Sequence, residues 1–286
     1  MVIVQVWGGL GNQMFQYAFA RGAALKLGER FCLDTSFFVS QDPSWRCCVR
    51  EYELERIFAL RPEHAAEGCL SDCRRRAFFN WTLGRRTKIS CINPYRRDRD
   101  EKFSERHWMP IWPSGRDIFY KGYWQSPRYF DFIADDIRKD FQIVLALSQD
   151  DSRLLADIRS CDSVSIHFRR TDYLNSPNEK GLAYYWQALE EVKRRVKTPR
   201  LFAFSDDMAW VKENFRPDMP ITYVDGLRDQ GVDLELMKSC KHNIIANSSF
   251  SWWGAWLNPN PQKIVLAPKP FNNRDIYPDS WIVAEK

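Results

Sequence analysis

The 286-residue chain has no run of about 18 or more apolar residues, so nothing in it spans a membrane by the length rule for helices. Its start, Met1-Val2-Ile3-Val4-Gln5-Val6-Trp7, has no basic n-region and runs into glycines rather than a small-residue cleavage site. That predicts a cytoplasmic protein without a secretory leader. Histidine is scarce, with four in all, and none of the eight cysteines forms a C-x-x-C pair; Cys69 and Cys73 stand four apart. The spacing argues against a zinc site, and in a long chain without a leader it favours free thiols over a disulfide framework. Also absent is the G-x-x-x-x-G-K-S/T loop of mononucleotide binders. The dinucleotide fingerprint is incomplete, because counting from Gly9 the pattern G-x-G-x-x-G would need glycine where Met14 stands.

What is present suffices for a large core: 44% of residues are hydrophobic and 15% aromatic. The net charge of +5 is too small to imply a nucleic-acid partner, but its distribution is uneven. Between Arg74 and Arg106 eleven Lys/Arg face four Asp/Glu, with Phe78, Phe79, Trp81 and Tyr95 interleaved. This pattern fits peripheral contact with an anionic membrane surface, a lipid-linked or acidic substrate, or a solvated basic face. No RNA or DNA module accompanies it, so no nucleic acid is expected as a partner.

Short apolar runs alternate with helical patterns in the C-terminal half. Strands are predicted at Ser163–Ile166, Leu201–Phe204, Ile221–Val224, Asn243–Ala246 and Lys263–Ala267. Helices are predicted at Gly181–Val196, Asp207–Phe215, Val232–Cys240 and Ser248–Leu257. That alternation is the signature of a parallel sheet covered on both faces. The N-terminal half starts alike: strand Val2–Val6, helix Asn12–Leu27 with Phe15, Ala18, Phe19, Gly22 and Leu25 on one stripe, and strand Phe31–Asp34. Periodicity then lapses until Phe130, Ile133, Ile137 and Phe141. The polar turn after Leu147 places a boundary there, giving α/β architecture with an N-terminal Rossmann-like domain over 1–147 and a C-terminal one over 148–286. Two such domains are expected to face a cleft, the default place for a ligand.

Three segments carry candidate chemistry. His167-Phe168-Arg169-Arg170-Thr171-Asp172-Tyr173 follows a strand, the position where α/β sheets bind ligands. Arginine there offers a planar donor fork that matches phosphate oxygens and stays charged. A solvated charged loop is the alternative. Gly8-Gly9-Leu10-Gly11-Asn12-Gln13 joins the first strand to the first helix, where glycine permits a tight turn and the helix N-terminus offers N–H groups. Asn247-Ser248-Ser249-Phe250-Ser251 precedes a helix and forms a ready anion site, while Trp252, Trp253 and Trp256 are expected to pack the helix on the sheet. A fourth loop, Phe204-Ser205-Asp206-Asp207, either caps a helix or grips a base or ribose.

Taken together, the block from Gly8 to Ala18, the H-x-R-R-x-D-Y stretch from His167 and the block from Asn247 to Leu257 resemble the three hallmark blocks of the family 11 glycosyltransferases. These are α-1,2-fucosyltransferases, many of them bacterial. Residues 40 to 125 carry no matching block, and the resemblance implies that the 1–147 domain with this region forms the acceptor side while the 148–286 domain binds GDP-fucose. The resemblance implies a GT-B fold, GDP-fucose as donor, a galactose-terminated or lipid-linked glycan as acceptor, inversion at the anomeric carbon, and neither cofactor nor metal. It puts Arg169 on the donor pyrophosphate, supported by His167 and Arg170, with Asn247, Ser248, Ser249, Phe250 and Ser251 also at the phosphates. Gly9 and Asn12 are expected to face the reaction centre as donor-binding residues, and Ser205 and Asp206 to lie near the guanosine. For the proton of the acceptor hydroxyl the sequence offers Asp172, His167 and Asp34 without choosing between them. Transfer to another position or acceptor, and a non-catalytic nucleotide-sugar binder, are the alternatives.

Overall fold

The computed structural model describes residues 1–41, 49–66, 103, 117–171, 174, 180–270 and 275–284. Two compact units emerge, Met1–Gln142 with Asn272–Ile276, and Ile143–Phe271 with Tyr277–Lys286. The chain therefore leaves the first unit at Gln142, ahead of the polar turn after Leu147, and revisits it near the C-terminus.

In the first unit β1 (Val2–Gln5), β2 (Phe31–Asp34), β3 (Glu63–His64) and β4 (Ile118–Tyr120) form a parallel sheet in the order β3-β2-β1-β4. Every residue of β1 is buried, as a central parallel strand requires. Helix α1 (Leu10–Leu27) ends at Gly28, whose φ of 64° turns the chain out of the helix while its N–H reaches Ala24 and Leu25 carbonyls. The apolar stripe read for α1 is too narrow. Phe15, Ala18, Phe19 and Gly22 are buried, but so are Gln13, Gln16 and Tyr17 around the helix, and Leu25 is 62% exposed. Short helices α2 (Ser36–Val39) and α3 (Leu54–Phe58) follow. Phe130, Ile133, Ile137 and Phe141 are buried as their spacing implies, on two 3-10 turns and helix α4 (Ala134–Asp140). Asp140 accepts from Tyr17 Oη at 3.1 Å and Arg21 Nε at 2.7 Å, fixing α4 to α1.

The second unit opens with α5 (Gln149–Ser160) and runs β5 (Asp162–Phe168), α6 (Leu182–Arg195), β6 (Pro199–Ser205), α7 (Met208–Asn214), β7 (Ile221–Tyr223), α8 (Gln230–Ser239), β8 (His242–Ile244), α9 (Ser249–Leu257), β9 (Val265–Pro268) and β10 (Ile282–Ala284). The six strands are parallel, in the order β10-β9-β8-β5-β6-β7. Successive residues of a strand point to opposite faces. Accordingly Val164, Ile166, Phe168, Leu201 and Ala203 pack with Leu189, Val192 and Phe215, whereas Phe202 and Phe204 pack with Ile158, Leu236 and Met237. Both faces of the sheet are thus covered. Among the described residues no helix is long and apolar enough to cross a membrane, and Cys32, Cys161 and Cys240 are free thiols. Cys69 and Cys73 lie outside the described residues.

Candidate active site

Counted from its first strand, the second sheet has the order 3-2-1-4-5-6 of a doubly wound nucleotide-binding fold, which reverses direction between β5 and β8. Ligands of such sheets bind outside the carboxyl ends at that switch point. The loops that leave those two strands are His167–Thr171 and Ala246–Ser251, the arginine pair and the serine-rich helix start. Topology alone therefore brings together two segments about eighty residues apart in sequence, a separation whose cost in loop-closure entropy grows only slowly with length.

The arginine loop is held by the carboxylates that end β6. Asp206 accepts from the Arg170 N–H at 2.9 Å, the Thr171 N–H at 3.2 Å and the Thr171 hydroxyl at 2.6 Å, and pairs with Arg169 Nη1 at 3.2 Å. Burial works to raise its pKa, but the Thr171 hydroxyl, the Arg169 charge and the Arg170 N–H outweigh it and hold the carboxyl below its usual range. Arg170 donates Nε to Asp207 at 3.2 Å and lays its guanidinium 3.5 Å from the Trp210 ring centroid. That is a stacked guanidinium geometry lysine cannot reproduce. Asp207 also caps α7 by accepting the Trp210 N–H, and the Ser205 hydroxyl accepts the Asp207 N–H. The Ser205–Asp207 segment, read as either a cap or a base-gripping loop, thus caps α7 and clasps the arginines. Asp172 lies outside the described residues.

His167 sits at the end of β5, 5% exposed, with Nδ1 enclosed and lacking a hydrogen-bond partner among the described residues. Burial first, and then the Arg169 charge, push its pKa down to about 4, against an opposing pull from Asp206. The ring is a neutral imidazole near neutral pH, able to hydrogen-bond an anion but adding no charge. Its centroid is 6.0 Å from that of Phe250, in the first turn of α9.

Helix α9 starts at Ser248, whose hydroxyl accepts the Phe250 N–H at 3.3 Å. No charged side chain stands in its first turn, so the positive end of its dipole is not offset there. At the other end Lys263 Nζ donates to the carbonyls of Ala255, Trp256 and Asn258. Trp252 and Trp253 are at most 1% exposed and Trp256 is 4% exposed, so all three pack the interior as expected. Gly254 lets α9 approach α8 closely, since a Cβ there would lie 3.1 Å from Met237 Cβ. Asn258 Nδ2 donates to Asn243 Oδ1 at 2.8 Å, and Asn243 Nδ2 donates to Ser165 Oγ at 2.8 Å, a buried chain tying α9 to β8 and β5.

In the first unit, Gly8 adopts φ 81°, and a Cβ there would meet the Asn12 amide at 2.9 Å. Glycine is required by the turn and by that approach. Gly9 caps α1 through its backbone, and Asn12 Oδ1 accepts from Gln125 at 2.8 Å. The sequence reading missed two fully buried amides in this block. Gln13 donates to the Gly8 and Glu51 carbonyls and accepts the Glu53 N–H, while Gln16 accepts the Trp7 N–H and donates to the Gly122 carbonyl. They lock the glycine loop to two distant loops. Polar residues on an otherwise buried helix were the available signal. Asp34 is buried, accepting from Ser36 N at 3.0 Å and Gln5 Nε2 at 3.5 Å. The basic stretch from Arg74 to Arg106 lies, apart from Phe103, outside the described residues.

The model of "Glycosyl transferase family 11" matches residues 93–285. An α-1,2-colitosyltransferase of Escherichia coli is 30% identical across all of this chain and 99% of its own length. The O-antigen biosynthesis glycosyltransferase WbnK of Escherichia coli is 28% identical over 96% of this chain and 97% of its own. The galactoside α-(1,2)-fucosyltransferase 1 of Rattus norvegicus is 31% identical over 49% of this chain and 42% of that protein. Among solved structures, a mutant of Arabidopsis thaliana FUT1 in complex with GDP superimposes with a TM-score of 0.54 at 10% identity, over 95% of this chain and 71% of that one. POFUT1 in complex with GDP-fucose gives 0.51 at 13% identity, over 100% and 98%. These are likenesses of fold, the GT-B type built from two Rossmann-like units. The chain is a glycosyltransferase and belongs to glycosyl transferase family 11.

Proposed function

We propose that this protein is an inverting, metal-independent fucosyltransferase that moves L-fucose from GDP-fucose to the 2-hydroxyl of a galactosyl residue on a cell-surface glycan or its lipid-linked precursor. One observation carries the reading: the Arg169–Arg170 loop and the Ser248-capped start of α9 meet at the switch point between β5 and β8. In the transfer, the acceptor oxygen attacks the anomeric carbon as the bond from that carbon to the β-phosphate oxygen breaks, and GDP departs with the electron pair. Fixed donors aimed at that developing charge stabilise the transition state in a low-dielectric site. Arg169 supplies one such charge, sharing itself between Asp206 and the diphosphate. The α9 N–H groups with Ser249 and Asn247 supply dipoles, and neutral His167 supplies a hydrogen bond without charge. Arg170, already stacked and paired, positions the loop. The acceptor proton passes to a carboxylate, for which Asp172 of the same loop is our assignment. Gly9 and Asn12 face the reaction centre and the donor in this reading. Residues 74–106 are assigned to the membrane surface on which a lipid-linked acceptor resides.

The full-length likeness to an α-1,2-colitosyltransferase favours one second reading, a GDP-activated donor lacking the 3-hydroxyl of fucose. The two differ by a single hydroxyl. A site built to hydrogen-bond it rejects the analogue by about 10⁴–10⁵-fold, whereas an apolar wall discriminates by only about 10²-fold. The test is incubation with each donor, a panel of galactose-terminated acceptors and EDTA, following GDP release and the linkage of the product. Fucosyl product in the presence of chelator is expected. Preference for the 3-deoxy donor transfers the assignment to the second reading, and binding without turnover on any acceptor overturns both.

A further inference from the structure

Two identical cations stand side by side after β5, and each takes one of two adjacent carboxylates after β6. Arg169 Nη1 lies 3.2 Å from Asp206, and Arg170 Nε lies 3.2 Å from Asp207. Charge alone does not sort them this way, because the Arg170 main chain is itself bound to Asp206, its N–H donating at 2.9 Å. A ring also holds the Arg170 guanidinium, whose carbon lies 3.5 Å from the centroid of Trp210, the third residue of α7. Trp210 is fixed from two sides. Its N–H donates to Asp207 Oδ1 at 3.2 Å while Asp207 Oδ2 takes Arg170, so one carboxylate sets both the backbone that carries the ring and the cation that lies on it. Its indole is half-buried and packs against the core cluster that contains Phe168, Val211 and Phe215.

Burial makes this clasp necessary. The Arg170 side chain is 14% exposed, and a cation so far withdrawn from water needs a partner for its charge and a surface for its plane. Asp207, at 31% exposed, is partly screened by water, which leaves the ring to fix the orientation. A half-buried position at the edge of a core accepts smaller apolar side chains, whereas the flat indole is the best aromatic face for a cation. Without the clasp both guanidinium groups would compete for Asp206, which already accepts the Arg170 and Thr171 N–H groups and the Thr171 hydroxyl. Arg169 would then lose its fixed aim.

We infer that Trp210 is a positioning residue for the transfer: it holds Arg170 on α7, so that Arg169 is the guanidinium presented to the donor diphosphate. This role rests on the donor site proposed above. It is tested on the full-length protein by a double-mutant cycle between Trp210→Leu and Arg170→Met, with Trp210→Phe as the conservative variant. The measurements are kcat with GDP-fucose, the KM of a galactose-terminated acceptor, the GDP dissociation constant and the melting temperature. Trp210→Leu is expected to lower kcat about 10–100-fold, the cost of a group misplaced by roughly 1 Å. GDP should bind about tenfold more weakly, the loss of one buried cation–ring contact, at the acceptor KM of the wild type. Trp210→Phe, which keeps a smaller face, should fall between. In the Arg170→Met background the same Trp210→Leu change should cost nothing further, because no guanidinium is left to place. Should Trp210→Leu melt well below the wild type, Trp210→Phe carries the same cycle. Wild-type kcat and GDP affinity in Trp210→Leu overturn the inference. So does an equal further loss in the Arg170→Met background, since Trp210 would then act through core packing alone. If the wild type binds GDP but transfers neither donor sugar, the transfer reading falls and the cycle read in GDP affinity decides the role of Trp210. Absence of GDP binding by the wild type overturns both.

Discussion

Arg169 and Arg170 are neighbours with different duties. Arg170 is committed to Asp207 and the Trp210 face, whereas Arg169 is held through an Asp206 carboxylate that keeps three other donors. Removing Arg169 leaves Asp206 satisfied by Arg170 N–H, Thr171 N–H and the Thr171 hydroxyl, so the loop survives. Arg169→Ala is therefore expected to lower turnover about 10²–10³-fold, the cost of one transition-state donor, at a melting temperature close to wild type. Near-wild-type turnover would sink the pyrophosphate role. His167 carries a pH signature. Its folded pKa of about 4 lies below the ordinary 6.5, so between those values the unfolded chain binds a proton that the folded protein refuses. Stability is whole above pH 6.5 and falls as pH drops towards 4, ahead of the window in which Asp206, held below 3.8, is protonated. Denaturant titrations from pH 7.5 to 4 should show this loss, and His167→Gln should flatten it. An unchanged slope in that variant would place the titration elsewhere. The arginine pair was legible because two like charges after a strand are conspicuous. The Trp210 stack under Arg170 was not, since nothing in sequence spacing links residues forty apart.

At the scale of elements, Ser248 joins stability to binding. Losing an N-cap hydroxyl costs about 0.5–2 kcal/mol, and the same helix end is the anion site in the proposed function. Ser248→Ala should thus lower both the melting temperature and GDP affinity. Ser248→Asp separates the two: a carboxylate caps the helix and suits its dipole, so stability should return to wild type, yet it repels a diphosphate. Restored GDP affinity in the aspartate variant would mean the cap is only structural. The parallel strands of the second unit were readable as continuous apolar runs because both of their faces are buried. Those of the first unit after Asp34 were not, because β3 and β4 are only two and three residues long. Helix α5 follows the polar turn read as a boundary and was not predicted as a helix. Its signal is the Ser148-x-x-Asp151 start, in which Ser148 Oγ accepts the Asp151 N–H at 3.1 Å and donates to the Asp151 carboxylate at 2.6 Å.

At the scale of the molecule, the path of the chain's last fifteen residues has a consequence that no local pattern predicts. After β9 the chain returns to the first unit through Asn272–Ile276 before β10 completes the second sheet. In the first unit the Asp275 carbonyl accepts from Ser126 Oγ at 3.0 Å and its carboxylate accepts from the Phe103 N–H at 3.2 Å. In the second, Ile282–Ala284 pairs along Leu266–Pro268, and Trp281 packs 5.5 Å from Trp252. Deleting residues 272–286 therefore strips partly buried hydrogen bonds from one unit and an edge strand with its tryptophan from the other. Apolar burial lost on this scale is worth several kcal/mol, a large part of the about 5–15 kcal/mol that separates folded from unfolded domains. The truncated protein is expected to unfold at lower temperature in both units, read as faster proteolysis on the 1–142 side and the 143–271 side alike, and to lose GDP binding although no residue assigned to the donor is removed. Protection of one side at the wild-type level would show that the returning segment serves only the other.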